Sequence, residues 1–306
     1  MEISNTYCGA SSLHVICEKY KFEPKKPLIL FKDDKIFDNF KWLDIINCSG
    51  SLDDKTFANI PNLEVINIRN CNIEQIFDKT FLTLKCLRSL DIYKSNFPIN
   101  AKTFEHSTEL ETIRFLENKR PISNIKLFET LNKLNQLFFC KASDLIIAEE
   151  SFLGLNNLHY LYIQNCSVEV INAKAFVNLK SLKYLFMTKN IIKQFSVEAI
   201  LALKSLNNLV LYDNQSEESK PLEINYQEFE NLPQLQTLCF QDVVLKNLDL
   251  TKFTNLKNIQ LVIGQSNNEI VDYLNEKNID IEWISDSNFV EDNEDINLKQ
   301  NIQICG

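Results

Sequence analysis

The chain has 306 residues, 45% hydrophobic and 24% charged, a globular composition that excludes a disordered or fibrous protein. No apolar run approaches the roughly 18 residues of a membrane-crossing helix, which argues against membrane insertion. The net charge of −9 is concentrated in residues 266–306, with ten acidic residues against two lysines. That distribution disfavours nucleic acid and anionic lipid surfaces as partners.

The first residues, from Met1 to Cys8, hold neither a basic cluster nor an apolar stretch. These residues do not read as a signal peptide, and taken literally the chain is expected to stay in the cytosol. Residues 1–39 read as an N-terminal cap, with Cys8, Cys17 and a strand-like run from Pro27 to Lys32.

From residue 40 to about 265 one pattern recurs. Phe57, Phe81, Phe104, Phe128, Phe152, Phe176, Ile200, Phe229 and Phe253 are spaced by 24 residues, with two departures to 23 and 29. Most are followed three and six residues later by apolar positions, usually Leu, and then by an L-x-x-L-x-L core. Leu158, Leu161, Ile163, Cys166, Val168, Ile171, Phe176 and Leu179 form the clearest of nine to ten copies. The alternation within the core is that of a strand with one face inward, so parallel strands are expected around Ile66, Leu90, Ile113, Leu137, Leu161, Leu185, Leu209 and Leu238. The ninth position of each copy (Cys48, Cys71, Asn118, Cys166, Asn190, Asn214) falls where the chain turns out of the strand. A buried Asn there satisfies backbone groups that the turn leaves unpaired. One copy buries about seven large side chains at roughly 1.5–3 kcal/mol each. Ordering its backbone costs about 1–2 kcal/mol per residue. A single copy cannot fold alone and needs neighbours on both sides.

The copy beginning at Leu206 is five residues longer than the others, so residues 215–221 are expected to bulge as a polar loop. Gly264 at a core position ends the series. Residues 266–284 read as a C-terminal cap, helical over 268–277 and extended over 279–284. Residues 285–306 read as a loose acidic tail, in which Cys305 is the odd cysteine; a free thiol or an intermolecular disulfide both fit it.

This pattern resembles the leucine-rich repeat, in the typical 24-residue class of extracellular animal proteins. The resemblance implies an α/β solenoid, a horseshoe with a parallel concave sheet and an irregular or short-helical convex side. The flank from Cys8 to Lys32 resembles the disulfide cap of secreted insect leucine-rich-repeat proteins of immune type. That resemblance implies a Cys8–Cys17 disulfide, an extracellular location and protein recognition; two reduced thiols in a cytoplasmic protein are the alternative.

On each strand the third, fifth and seventh positions of the copy face the concave side. From Leu134 to Tyr212 these are Gln136, Phe138, Cys140, Tyr160, Tyr162, Gln164, Tyr184, Phe186, Thr188, Asn208, Val210 and Tyr212, half of them aromatic. Earlier strands place Asp44, Arg69, Asp91, Tyr93 and Arg114 there. Strands about 4.8 Å apart would merge these rings into one patch, which marks an interaction surface unless the rings only pack on one another. Phe138, Tyr160, Tyr162, Tyr184, Phe186, Tyr212, Arg114 and Asp91 are the candidate ligand-binding residues.

Chemistry has little foothold. His14, His106 and His159 have no nucleophile or carboxylate at triad spacing, and no Cys-x-x-Cys or His-x-x-x-His pair occurs. No catalytic residue, metal site or cofactor is expected. Three glycosylation sequons begin at Asn47, Asn165 and Asn214, about the number chance supplies. The expected function is protein binding by a secreted recognition or adaptor protein, or alternatively by an intracellular scaffold.

Overall fold

The computed structural model describes residues 7–10, 14–28, 39–118, 126–142, 145–212, 214, 222–225, 232–240, 243–246, 258–262 and 281–284. Two compact units divide the chain, one of residues 1–146 and 150–158, the other of residues 147–149 and 159–306.

The first unit opens with β1 (Tyr7–Ala10) and β2 (His14–Glu18), an antiparallel pair. After the short β3 (Lys21–Phe22), chain turns alternate with β4 (Trp42–Ile46), β5 (Ser49–Leu52), β6 (Val65–Arg69), β7 (Asn72–Ile76), β8 (Ser89–Tyr93), β9 (Thr112–Leu116) and β10 (Gln136–Cys140). Strands β2, β4, β6, β8, β9 and β10 form a parallel sheet in constant register. Val15, Leu43, Ile66, Leu90, Ile113 and Leu137 thus form one inward row with no solvent exposure.

The second unit holds β11 (Tyr160–Gln164), β12 (Val170–Ile171), β13 (Tyr184–Thr188), β14 (Gln194–Phe195), α1 (Glu198–Leu201) and β15 (Asn208–Tyr212). β16 (Leu222–Asn225), β17 (Thr237–Phe240), β18 (Val243–Lys246), β19 (Asn258–Val262) and β20 (Ile281–Ile284) follow. Here β11, β13, β15, β17, β19 and β20 pair in parallel, with Leu161, Leu185, Leu209, Leu238, Ile259 and Ile281 in one register row. The strand expected over 279–284 is therefore β20, which joins the sheet. The expected loop at 215–221, the helix at 268–277 and the tail at 285–306 lie outside the described residues.

The side opposite the sheet is irregular, and its short-helical form is almost absent from the described residues. Among the described residues α1 is the one helix, and it spans four residues. Elsewhere Phe57, Ile60 and Leu63, or Phe81, Leu84 and Leu87, enter the core at three-residue intervals, all buried. A three-residue interval suits i→i+3 turns better than the 3.6-residue α-helix. Ala58 N–H donates to Lys55 C=O at 3.0 Å, Ile60 to Phe57 at 3.1 Å and Leu84 to Phe81 at 3.1 Å. The rings of Phe57, Phe81 and Phe104 stack along this spine at 5.9 and 6.1 Å. Short second sheets line the flank, β3–β5–β7 in the first unit and β12–β14 and β16–β18 in the second. No sequence signal had distinguished them from loop.

The turn out of each strand carries two linked features. Asn47, Asn70, Lys94, Glu117, Lys141, Asn165 and Lys189 all lie at φ between 48° and 54°, the left-handed region. An L-residue there costs roughly 1–2 kcal/mol. The N–H groups of Asn47, Asn70, Lys94, Glu117 and Asn165 extend the ladder, with Asn47 donating to Arg69 C=O at 2.9 Å and Asn165 to Thr188 C=O at 2.9 Å. The reversal then aims the next side chain inward, where it ties adjacent coils together. Cys166 N–H donates to Asn190 Oδ1 at 3.0 Å, and Asn190 N–H to Asn214 Oδ1 at 3.1 Å. Asn190 Nδ2 donates to Ile163 C=O at 2.9 Å and Thr188 C=O at 3.1 Å. In the first unit Cys48 N–H donates to Cys71 Sγ at 3.3 Å and Cys71 N–H to Ser95 Oγ at 3.0 Å. Ser95 is thus a ladder residue outside the Asn-or-Cys pattern, and Ala142 holds the equivalent place without a polar group. The hydrogen bond with Cys48, then burial, pushes the Cys71 thiol far above its ordinary value.

Asn190 is 1% exposed and serves three backbone groups, so Asn190→Ala is expected to cost about 1–3 kcal/mol. Denaturant unfolding of the two proteins measures this; an unchanged midpoint would refute the ladder role.

Candidate binding face

The face of each sheet turned away from the core is set by strand alternation, and the constant register lines its side chains into rows. In the first unit one row runs Ile16, Asp44, Asn67, Asp91, Arg114, Phe138. Arg114 Nη1 contacts both Asp91 carboxylate oxygens, at 3.0 and 3.2 Å. Its guanidinium also lies 5.1 Å from the Phe138 ring centroid, an added attraction of cation to π-face. Burial pushes the Asp91 carboxyl above its ordinary value, against the opposing pull of Arg114 and Arg69. Asp91 and Arg114 are therefore committed to each other in this structure, and Phe138, 6% exposed, is covered.

A cluster that sequence reasoning missed lies at the start of this sheet. Asp44 accepts hydrogen bonds from Asn67 Nδ2 at 2.7 Å and Trp42 Nε1 at 3.0 Å, and contacts His14 Nε2 at 3.1 Å. Trp42 and Ile16 beside it are 44% and 36% exposed. The signal that would have found the cluster is the strand alternation of Val15 and Cys17, which sets His14 and Ile16 on the outer face.

In the second unit the rows are Tyr160, Tyr184, Asn208, Thr237 and Tyr162, Phe186, Val210, Cys239. Tyr160 and Tyr184 stack at 4.5 Å with 2° between planes, and Tyr162 and Phe186 stack at 4.5 Å and 3°. Phe186, Val210 and Cys239 are buried, with Tyr162 and Tyr184 packed against them. The expected patch is thus partly a second, smaller core on the outer face. Phe186 at 8% exposure is its floor rather than a contact surface, while Tyr160, Tyr162 and Tyr184 remain partly exposed. The physical reason is ring size: parallel strands bring identical positions within stacking distance, and flat rings cover one another. Burial pushes the Tyr162 phenol well above its ordinary value, with Tyr160 and Tyr184 adding to the shift. The Tyr212 side chain lies outside the described residues.

Cys8 and Cys17 are register partners across β1 and β2. Cys17 is buried. Cys140, expected to point outward as a thiol, is buried at the end of β10 and is disulfide-bonded. Cys305 lies outside the described residues. Among the described residues no group of three or more His, Cys, Asp or Glu side chains is placed to hold a metal ion. No described helix is long and apolar enough to cross a membrane.

Residues 156–215 match the family described as leucine rich repeat, and residues 33–135 the BspA type leucine rich repeat region, in six copies. Together the matches span more than half of the chain. No curated protein matches. Among solved structures, the chain is similar to TLR13 in a complex with ssRNA13, at 18% identity and a TM-score of 0.53, covering 73% of this chain and 40% of that one. It is also similar to a chain of the Toll–Spatzle complex of Drosophila, described as a hub in development and innate immunity. That match has 16% identity and a TM-score of 0.58, covering 78% of this chain and 35% of the other. The glycosylated form of that complex gives 17% identity, a TM-score of 0.61 and coverages of 83% and 38%. The chain spans two fifths or less of these relatives' lengths, and at such identities the likeness establishes the fold.

The raised phenol gives a pH test. Unfolded tyrosine ionises near pH 10, and Tyr162 ionises higher in the fold. Its contribution to stability is therefore complete below pH 10 and is lost as pH rises above it. Native protein is expected to show fewer ionised phenols in a tyrosinate absorbance titration at pH 10–11 than unfolded protein, and Tyr162→Phe to narrow that difference. An equal count in both states would refute the burial.

Proposed function

Because this chain belongs to the leucine-rich-repeat proteins, we propose that it is a non-enzymatic protein-binding module whose outer sheet face in the second unit carries the contact surface. The observation that supports this most is the Tyr160–Tyr184 stack beside Tyr162 on a buried Phe186 floor. Rings fixed in this way lose little conformational freedom on binding, and they offer apolar faces together with phenol hydroxyls. A net charge of −9 favours a protein over a nucleic acid as ligand. The Toll relative was solved with Spatzle, which is in keeping with this reading.

The proposed location is extracellular, in a recognition or adaptor role of immune type. A register pair in an antiparallel ladder has its Cα atoms about 4.5–5.5 Å apart, within the span of a disulfide. In an oxidising compartment Cys8 and Cys17 are accordingly expected to bond. The second reading, an intracellular scaffold, is favoured by the buried ladder thiols Cys48 and Cys71, which are free. Intact mass and alkylation of non-reduced natural protein separate the two readings: a Cys8–Cys17 bond supports export, and two alkylated thiols support the cell interior.

The binding surface is tested by Tyr160→Ala and Tyr184→Ala, which remove partly exposed rings without opening the Leu core. Each is expected to weaken partner binding by about 2 kcal/mol, roughly thirtyfold, with little change in melting temperature. Phe186→Ala should lower stability instead, because its ring is buried. Unaltered capture by both Tyr variants in a pull-down would overturn the assignment of this face.

A further inference from the structure

The three sequons, indistinguishable as motifs, occupy different structural places. Asn47 and Asn165 stand at the left-handed position of the strand exit, with φ of 54° and 51°, and both side chains are exposed. The cysteine after each turns inward, Cys48 2% and Cys166 0% exposed, which leaves the asparagine amide on the solvent side. Asn214 is the opposite case. Its Oδ1 accepts from Asn190 N–H at 3.1 Å and its Nδ2 donates to Met187 C=O at 2.6 Å, so its amide is consumed by the ladder.

A preference of asparagine for left-handed backbone would explain these residues without modification. The same position is filled by Lys94, Glu117, Lys141 and Lys189, however, so the turn does not demand asparagine. Asn70, exposed at φ 52°, is an internal control: its triplet, Asn70-Cys71-Asn72, lacks the hydroxyl at the third position.

We propose that Asn47 and Asn165 carry N-linked glycans and that Asn214 does not. The inference rests on the extracellular reading above. The donor is a polyprenyl-diphosphate-linked oligosaccharide. The amide nitrogen bonds to the anomeric carbon, the bond from that carbon to the diphosphate oxygen breaks, the diphosphate leaves with the electron pair, and the amide loses one proton to a base. Ser49 and Ser167 supply the hydroxyl the motif requires. Asn165 directly follows Gln164, the last residue of β11, whose Tyr160 and Tyr162 belong to the aromatic surface. A glycan there borders that surface at the strand-exit edge, so a partner reaches the tyrosines from the strand-entry side.

The test is glycopeptide mapping of the full chain from its own cells and, in parallel, of the full chain exported from animal cells behind an added leader. Glycans are expected at Asn47 and Asn165, with Asn70 and Asn214 bare. Ser49→Ala and Ser167→Ala should each remove one glycan while leaving the asparagine in its turn, and Asn72→Ser should add one at Asn70. Bare Asn47 or Asn165 in the exported chain, or a glycan on Asn214 of folded protein, overturns the assignment of that site. Glycans on the leader-directed chain with none on the natural one overturn the proposal through its extracellular premise, while the tyrosine binding assay remains an independent check on the binding face.

Discussion

The stacking of the described coils depends on what happens in the two residues after each strand. The first reverses into the left-handed region, and the second turns inward to meet the backbone of the neighbouring coil. The reversal is locally unfavourable for the lysines and the glutamate that make it. The inward residue offsets that cost by giving hydrogen bonds to N–H and C=O groups that a buried turn would otherwise leave bare. Asn190 shows the full form, accepting from Cys166 N–H and donating to two carbonyls. Cys48, Cys71 and Ser95 show reduced forms with one polar atom doing both tasks. Because the bonds from Cys166 N–H to Asn190, from Asn190 to Ile163 C=O, and from Cys48 and Cys71 N–H to their successors reach a neighbouring coil, stability is a property of the stack and not of any coil by itself.

The constant register that follows from this repetition shapes the outer face as well. Identical positions on adjacent strands come within stacking distance, so chemistry repeated in sequence becomes a row in space. Two consecutive tyrosine-bearing copies yield the Tyr160–Tyr184 stack, and consecutive acidic, basic and aromatic copies yield the Asp91–Arg114–Phe138 row. Rows of this kind bury themselves in part. Phe186, Val210 and Cys239 are covered, while the phenols at the rim stay accessible. Rigidity and exposure are thereby separated within one face, with a packed floor supporting a polar, aromatic edge.

The same exit turn sorts its own asparagines. A residue at the left-handed position presents its side chain to solvent, and its successor presents inward, so two adjacent residues have opposite fates. Asn47 and Asn165 fall on the outside of this division, whereas Asn214 falls on the inside.

The sequence by itself determined the coil. The 24-residue recurrence of Phe57, Phe81 and their successors, and the alternation around Leu161 and Leu185, located the eight parallel strands from β6 to β17 of the main ladder and the ladder residues Asn190 and Asn214, because burial periodicity is written directly in residue type. It also named the tyrosines of the outer face, since strand alternation decides facing. Only the tertiary structure decided how far those side chains are exposed, because the exposure of Phe138 or Phe186 depends on neighbours about 24 residues away. It alone revealed the His14–Asp44–Trp42 cluster, built from residues 30 apart in sequence, and Ser95 as a ladder member, since a lone serine has no distinctive pattern. The flanking short strands and the near absence of helix in the described residues were likewise not legible. The Phe57–Ile60–Leu63 spacing suits i→i+3 turns, but only the folded chain shows them, in bonds such as Ile60 N–H to Phe57 C=O at 3.1 Å, because an apolar position in sequence records burial and not the backbone partner.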